Sequence, residues 1–345
     1  MKKINVMVTG AGSGTGQSII KALNLSSLKL SIFSSDINPS NAGLYRTKNS
    51  VIIPPVEKKN SLRIIINILK KYKIKILFIG SEYELKFFGK NKDIIEKETQ
   101  TKVCVTSTKI INLSNDKYAT IKFLRKSKLP FPESYLIKKN NLNKMFYKLR
   151  KPFILKNRFG TSARDVYLIK DKKDYLNNLS IIKFPMIQEY LRGKRNIYGD
   201  EYTCSVFTDI KGYLKGPFLS QRYLKNGNSW IVRTIQNNKL SKLVIKISKA
   251  LGNTGTINIQ LKKKNKNFLP IEINSRFSGT TCIRAALGFN EPEMYIKSFY
   301  LNKSLNNIKI KKGFVFRYIE EIFVNTDNSR KLKNNFSEGK IIKWF

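Results

Sequence analysis

Gly255-Thr256-Ile257-Asn258-Ile259-Gln260-Leu261, a lysine-rich turn, and Leu269-Pro270-Ile271-Glu272-Ile273-Asn274-Ser275-Arg276-Phe277-Ser278-Gly279 are the most informative stretch of this 345-residue chain. The two alternating runs read as strands joined by the turn Lys262–Asn267. Side chains two residues apart share a strand face, so Asn258, Gln260, Glu272 and Asn274 fall on one side, and Ile257, Ile259, Ile271 and Ile273 face a core on the other. Four oxygen-bearing side chains on one sheet face cost desolvation free energy unless they hold something. Hard oxygen donors of this kind suit Mg²⁺ bridging nucleotide phosphates.

Composition narrows the chemistry further. The chain contains no histidine, which removes Ser-His-Asp triads, Cys-His nucleophiles and His-ligated zinc. Its 41% apolar and 26% charged residues fit a soluble globule of two or three domains. The net charge of +43 resembles that of a nucleic-acid binder, but lysine is abundant along the whole length and no domain concentrates it. The expectation is therefore no specific nucleic-acid partner, with a positive field that attracts anionic substrates. Three widely spaced cysteines, Cys104, Cys204 and Cys282, form neither a disulfide framework nor a metal spacing, which favours the cytoplasm. No apolar run reaches the ~18 residues of a membrane span.

Upstream, short strands alternate with helices: Ile4–Val8, Leu30–Ser34, Ile74–Ile79 and Val103–Val105 as strands, Gly16–Leu25 and Ser61–Tyr72 as helices. This βαβ pattern predicts a parallel sheet. A capped helix is expected over Asp116–Ser127, stopped before Pro130, and antiparallel hairpins from Pro152 onward. Thr9-Gly10-Ala11-Gly12-Ser13-Gly14-Thr15-Gly16, followed by Asp36 at the end of the second strand, resembles the start of a short-chain dehydrogenase binding NAD(P). Such an enzyme also needs a Tyr-xxx-Lys pair. The pairs present, Tyr118/Lys122, Tyr135/Lys139, Tyr147/Lys151 and Tyr190/Lys194, arise readily by chance among so many lysines. A tight turn packing helix on strand explains the glycines without a dinucleotide.

The late hairpin resembles the ATP-grasp enzymes, especially the short relatives of the carbamoyl-phosphate synthase large subunit, over nearly the whole chain. Asn115-Asp116-Lys117, Phe123-Leu124 and Pro130-Phe131-Pro132 look like the entry to the small ATP-grasp subdomain. The resemblance implies phosphate contacts at Lys117, Lys156, Arg158 and the loop Gly160-Thr161-Ser162, an adenine hinge at Gln188-Glu189-Tyr190-Leu191, and ribose binding at Glu201. It assigns Asn258 to the nucleotide, Gln260, Glu272 and Asn274 to Mg²⁺ or Mn²⁺, and Arg276, with Lys156, to catalysis. Ser81 and Glu84 look like residues lining the acceptor pocket. Two departures stand out: the phosphate loop is poor in glycine and carries Asp165, and Gln260 is neutral where many relatives have a carboxylate.

The fold implied is α/β: a Rossmann-like parallel-sheet domain over residues 1–107, then an ATP-grasp fold of two α+β subdomains, small over 108–185 and large over 186–345. The activity implied is an ATP-dependent carboxylate–amine ligase working through an acyl phosphate, with small-molecule carboxylate and amine substrates. Room is left for a homodimer. Two alternatives remain at this point: carbamoyl-phosphate-synthase-like phosphorylation of bicarbonate or carbamate, and the NAD(P) oxidoreductase.

Overall fold

The computed structural model describes residues 3–160, 165–193, 197–306, 308–322 and 338–339. The first unit runs β1 (Ile4–Val8), α1 (Gly14–Asn24), β2 (Leu30–Asp36), β3 (Asn49–Ile52), α2 (Ser61–Lys71), β4 (Ile76–Phe78), α3 (Leu85–Thr99) and β5 (Lys102–Cys104). Its strands pair in parallel in the order β3-β2-β1-β4-β5. Both faces of such a sheet are covered, and β1 divides accordingly. Val6 and Val8 point into a core shared with the C-terminal half, and Met7 points into a second core formed with α2 and α3.

Helices α4 (Thr108–Asn115) and α5 (Lys117–Lys126) follow. Asp116 caps α5, its Oδ1 accepting from Tyr118 N and Ala119 N. Ile110, Leu124 and Leu129 bury themselves against the large antiparallel sheet, so by packing this segment joins the large unit and not the small one. The small sheet begins with β6 (Ser134–Leu136) and continues, after α6 (Leu142–Phe146), with β7 (Phe153–Asn157), β8 (Val166–Ile169) and, beyond α7 (Lys172–Leu179), β9 (Pro185–Glu189), in the order β6-β9-β7-β8. Phe153, Leu155, Ile187 and Tyr175 fill its core.

The large sheet comprises β10 (Glu201–Thr208), β11 (Leu214–Lys225), β12 (Asn228–Thr234), β13 (Gly255–Lys264), β14 (Asn267–Asn274) and, past α9 (Thr281–Ala286) and α10 (Glu291–Tyr295), β15 (Phe314–Phe316). Its order is β14-β13-β10-β11-β12-β15. Between β12 and β13, helix α8 (Asn238–Leu251) lays Leu240, Val244, Ile247 and Leu251 at helical spacing on the apolar side, where Ile257, Ile259 and Ile273 meet them. Ile271 departs from the expected alternation. The register runs Gln260↔Glu272 and then Leu261↔Pro270, so Ile271 is the extra residue of a bulge and lines the cleft instead of the core. The first and large units share one core, with the ring of Phe78 5.7 Å from that of Phe277. A final short strand, β16 (Glu338–Gly339), pairs antiparallel with β3, so the chain returns to the first sheet after the large unit is complete. Among the described residues no helix is long and apolar enough to cross a membrane.

Candidate functional site

A cleft of about 570 Å³ opens where the three sheets converge. The small sheet contributes Ile154, Lys156 and Gln188, the large sheet Glu201, Arg222, Asn258, Gln260 and Glu272, and the first unit Ser13–Thr15 and Gly80–Tyr83. The strand period puts Ile154 and Lys156 in the cleft while Phe153 and Leu155 go to the core.

Lys156 is only 6% exposed, and its ammonium donates to the neutral oxygen Gln188 Oε1 at 2.9 Å. Gln188 is itself oriented by its Nε2, which donates to Ser134 Oγ at 2.9 Å. Burial, reinforced by the charge of Lys117 and opposed by that of Glu272, pushes the Lys156 pKa down to about 8. Lys117 likewise donates to a neutral acceptor, the carbonyl of Gly160 at 2.6 Å, and burial lowers its pKa too. Two ammonium groups thus face the cleft with hydrogen bonds but, among the described residues, no carboxylate within salt-bridge distance. A buried charge in that condition is costly until an anion arrives.

The hairpin register brings the predicted polar face together, pairing Asn258 with Asn274 and Gln260 with Glu272. Asn274 Nδ2 donates to Glu272 Oε1 at 2.8 Å. Asn258, 1% exposed, spends its Oδ1 on Thr203 Oγ1 (2.8 Å) and Arg284 NH1 (3.1 Å), so that oxygen belongs to the sheet and not to a ligand. Arg284 pairs in turn with the fully buried Glu291. Gln260 Oε1 accepts from Arg222 NH2 at 2.9 Å, and the same NH2 reaches Glu201 Oε2 at 2.8 Å. Arg276 pairs with Glu82 of the first unit and donates to the Phe277 carbonyl at 2.9 Å.

Other expected residues sit differently. Arg158 grips Asp116 through two hydrogen bonds of 2.7 and 2.5 Å and is absent from the cleft lining, so its guanidinium braces the α5 cap. Glu189, Tyr190 and Leu191 all line the cleft, and Glu189 also accepts from Glu133 N and pairs with Lys264 on β13, linking the small and large sheets. Gly160 is at its edge; Thr161 and Ser162 lie outside the described residues. Ser81 lines the cleft, but Glu84 does not: it is buried, accepts from Thr9 Oγ1 at 2.5 Å, and burial pushes its pKa up to about 7. Its neighbour Glu82 is the carboxylate that reaches the cleft. Sequence reasoning also missed Arg222 and Arg317. Arg222 stands directly across from Glu201 in the β10–β11 register, a pairing legible only once that register is known.

The dinucleotide expectation ends at the glycine turn. Asp36 Oδ2 accepts from Gly12 N at 2.7 Å, and its Oδ1 accepts from Asn41 Nδ2 at 2.7 Å and Asn38 N at 3.1 Å. The acid that would bind a ribose is occupied by the chain itself. Asn41 lies so close over Gly12 that a Cβ there would sit 2.2 Å from its Cγ, so the glycine is needed for the packing of the turn itself.

Two family models match the chain. The family described as "ATP-grasp in the biosynthetic pathway with Ter operon" matches residues 186–322, and "PylC-like, N-terminal domain" matches residues 6–104. The chain is an ATP-grasp superfamily protein. Among curated relatives, this ATP-grasp chain is 20% identical over 225 residues to a carbamoyl-phosphate synthase of Methanobrevibacter smithii, covering 60% of the chain and 58% of the relative. It is 26% identical over 181 residues to the coenzyme gamma-F420-2:alpha-L-glutamate ligase of Methanocaldococcus jannaschii, covering 50% and 61%. It therefore spans about three-fifths of the length of each. Its fold is that of N5-carboxyaminoimidazole synthetase from Staphylococcus aureus, solved with ADP, at a TM-score of 0.69 and 15% identity over 90% of this chain and 81% of that one. The biotin carboxylase of Campylobacter jejuni gives 0.70 and 16% over 91% and 74%.

Proposed function

We propose that this ATP-grasp protein is an ATP-dependent ligase that joins a small-molecule carboxylate to an amine. The observation carrying this reading is the pair Lys117 and Lys156: two cleft ammonium groups bonded, among the described residues, only to neutral oxygens, opposite the carboxylate of Glu272. A polyanion between them relieves the burial cost of both lysines at once.

In this reading ATP lies between the small and large sheets, with its base against Ile154, Leu191 and Ile271 and its ribose toward Glu201. Lys117 and Lys156 hold the phosphates. Gln260, Glu272 and Asn274 are the residues suited to Mg²⁺ or Mn²⁺, which when bound would neutralise phosphate charge. The substrate carboxylate oxygen attacks the terminal phosphorus and ADP leaves. The amine nitrogen then attacks the acyl carbon, phosphate leaves, and the nitrogen loses a proton to solvent. Arg276 supplies a fixed donor for the charge that develops on the transferring phosphoryl group. Positioning and charge neutralisation suffice, so a chain without histidine can perform it.

The test is an ADP-release screen of the full chain with Mg-ATP against pools of carboxylic acids and amines, amino acids and amino sugars included. Release that requires one acid and one amine together supports the ligase. Release driven by bicarbonate alone would replace it with the phosphorylation reaction, and nicotinamide-dependent turnover would overturn both.

A further inference from the structure

We propose that Glu82 decides between substrate and water: it neutralises Arg276 until a substrate carboxylate takes its place on that guanidinium, and phosphoryl transfer waits for the exchange. This rests on the ATP reading above, in which Arg276 stabilises the transferring phosphoryl group. Among the described residues four carboxylates line the cleft, Glu82, Glu189, Glu201 and Glu272, and Glu82 alone comes from the first unit, on the turn between β4 and α3. Arg276 enters from the loop between β14 and α9, 194 residues away in the chain. Its NH2 donates to Glu82 Oε2 and its NH1 to the Phe277 carbonyl at 2.9 Å.

The ion pair is not what docks the two units. They share one core, in which the rings of Phe78 and Phe277 stand 5.7 Å apart, and Phe277 directly follows Arg276. The turn on the other side is pinned by the neighbours of Glu82: Ser13 Oγ donates to Gly80 O at 2.7 Å, and Thr9 Oγ1 to Glu84 Oε2 at 2.5 Å. Glu82 and Arg276 can therefore part by side-chain rotation alone.

What the pair changes is charge. The other N–H groups of Arg276 remain able to donate, but a guanidinium in contact with a carboxylate is neutral as a unit and stabilises developing phosphoryl charge far less than a bare one. A substrate carboxylate presents the same group as Glu82, matches the planar fork equally well, and can replace it. Water carries no charge and cannot. Hydrolysis, in which a water oxygen bonds to the terminal phosphorus, the bond to ADP breaks and a proton passes to solvent, thus finds Arg276 neutralised by Glu82. With the acid in place, the guanidinium lies against the oxygens that share the transition-state charge.

The experiment measures ADP release from Mg-ATP without any acid, and calorimetric binding of inorganic phosphate to the Mg-ADP complex, for the full-length parent and for Glu82→Gln. The variant keeps the shape of the side chain and removes its charge. Acid-independent ADP release should rise by at least ~10-fold, and phosphate should bind at least ~5-fold more tightly. Glu82→Asp, one methylene shorter with its charge kept, should move both quantities the same way by a smaller factor, so the proposal does not depend on one variant folding. Adding Arg276→Ala to Glu82→Gln should cancel both gains, which a general loosening of the cleft would not do. Parent-like ADP release and phosphate affinity in a Glu82→Gln protein with an unchanged melting temperature would overturn the proposal. Failure of the parent to bind Mg-ADP would bring down the ATP reading together with this one, while normal Mg-ADP binding with no response to Glu82→Gln would bring down this one alone.

Discussion

The glycine-rich turn after β1 and the polar face of the β13–β14 hairpin border the same cleft, and they differ in where their polar groups find partners. In the turn, Asp36 accepts from Gly12, Asn38 and Asn41, and Ser13 caps α1 by accepting from Gly16 N at 2.9 Å while donating to Gly80 O at 2.7 Å. The turn satisfies itself. Around the hairpin, among the described residues, Lys117 and Lys156 have no carboxylate at salt-bridge distance, and Glu272 has no arginine or lysine there. A site is marked less by a motif than by charge the fold has left uncompensated, since a protein retains that cost only where something repays it.

The largest effect should come from Glu272→Gln. It removes a cleft carboxylate that, among the described residues, has no arginine or lysine within salt-bridge distance, so Mg²⁺-dependent ADP release should fall by more than ~10²-fold with the fold intact. Unchanged kcat at saturating Mg²⁺, with circular dichroism as the folding control, would break the contrast between the two regions. Arg276→Ala comes next: kcat should fall by about 10²-fold with little change in nucleotide affinity, because a donor fixed where charge develops acts on the transition state. If Arg276 serves only its ion pair with Glu82, the variant will melt lower and turn over normally.

These contrasts also explain what the sequence could reveal. The hairpin was legible because a period of two forces Asn258, Gln260, Glu272 and Asn274 onto one face whatever surrounds them. The parallel sheet was legible for a different reason, the alternation of short apolar strands with helices around β1. Which polar atoms are already engaged was not legible, because it depends on register and on residues distant in the chain. Arg158 on Asp116, Arg222 on Gln260, and Asp36 on the backbone of Gly12 are all contacts of that kind. The bulge at Ile271 likewise leaves no trace in an alternating pattern.

Lys156→Met should separate binding from stability. Loss of a charge-assisted hydrogen bond to phosphate should weaken ATP by about 1–3 kcal/mol, readable by calorimetry. The free protein should nevertheless melt higher, since a buried charge is gone. The pH dependence follows from the same shift. The folded pKa of about 8 lies below the ordinary 10.5, so below pH 8 the burial cost is fully present in the folded state. Between about 8 and 10.5 the unfolded chain binds the extra proton, and stability contributed by this group rises with pH. ATP affinity should move the opposite way, falling as Lys156 loses its charge. A pH-independent affinity across this window would remove Lys156 from the phosphates.

The smallest functional effect should come from Asp36→Ala in the glycine turn. Removing the carboxylate strands the N–H donors of Gly12, Asn38 and Asn41, two of them backbone groups, at a cost of about 1–3 kcal/mol, so the melting temperature should drop. Ser13 holds the first turn of α1 through contacts that do not involve Asp36, so Gly14 and Thr15 should keep their places at the cleft edge. ADP release by the folded fraction should then stay within about 2-fold of the parent, since no part of the charge arrangement around Lys117, Lys156 and Glu272 has changed. Were the turn instead a cofactor site with Asp36 on a ribose, the same substitution would alter ligand affinity while leaving the melting temperature of the free protein nearly untouched, because an unengaged surface acid contributes little to stability. The two readings thus predict opposite pairs of results from one variant, and a stable Asp36→Ala protein with changed nucleotide affinity would return the glycine turn to the functional site.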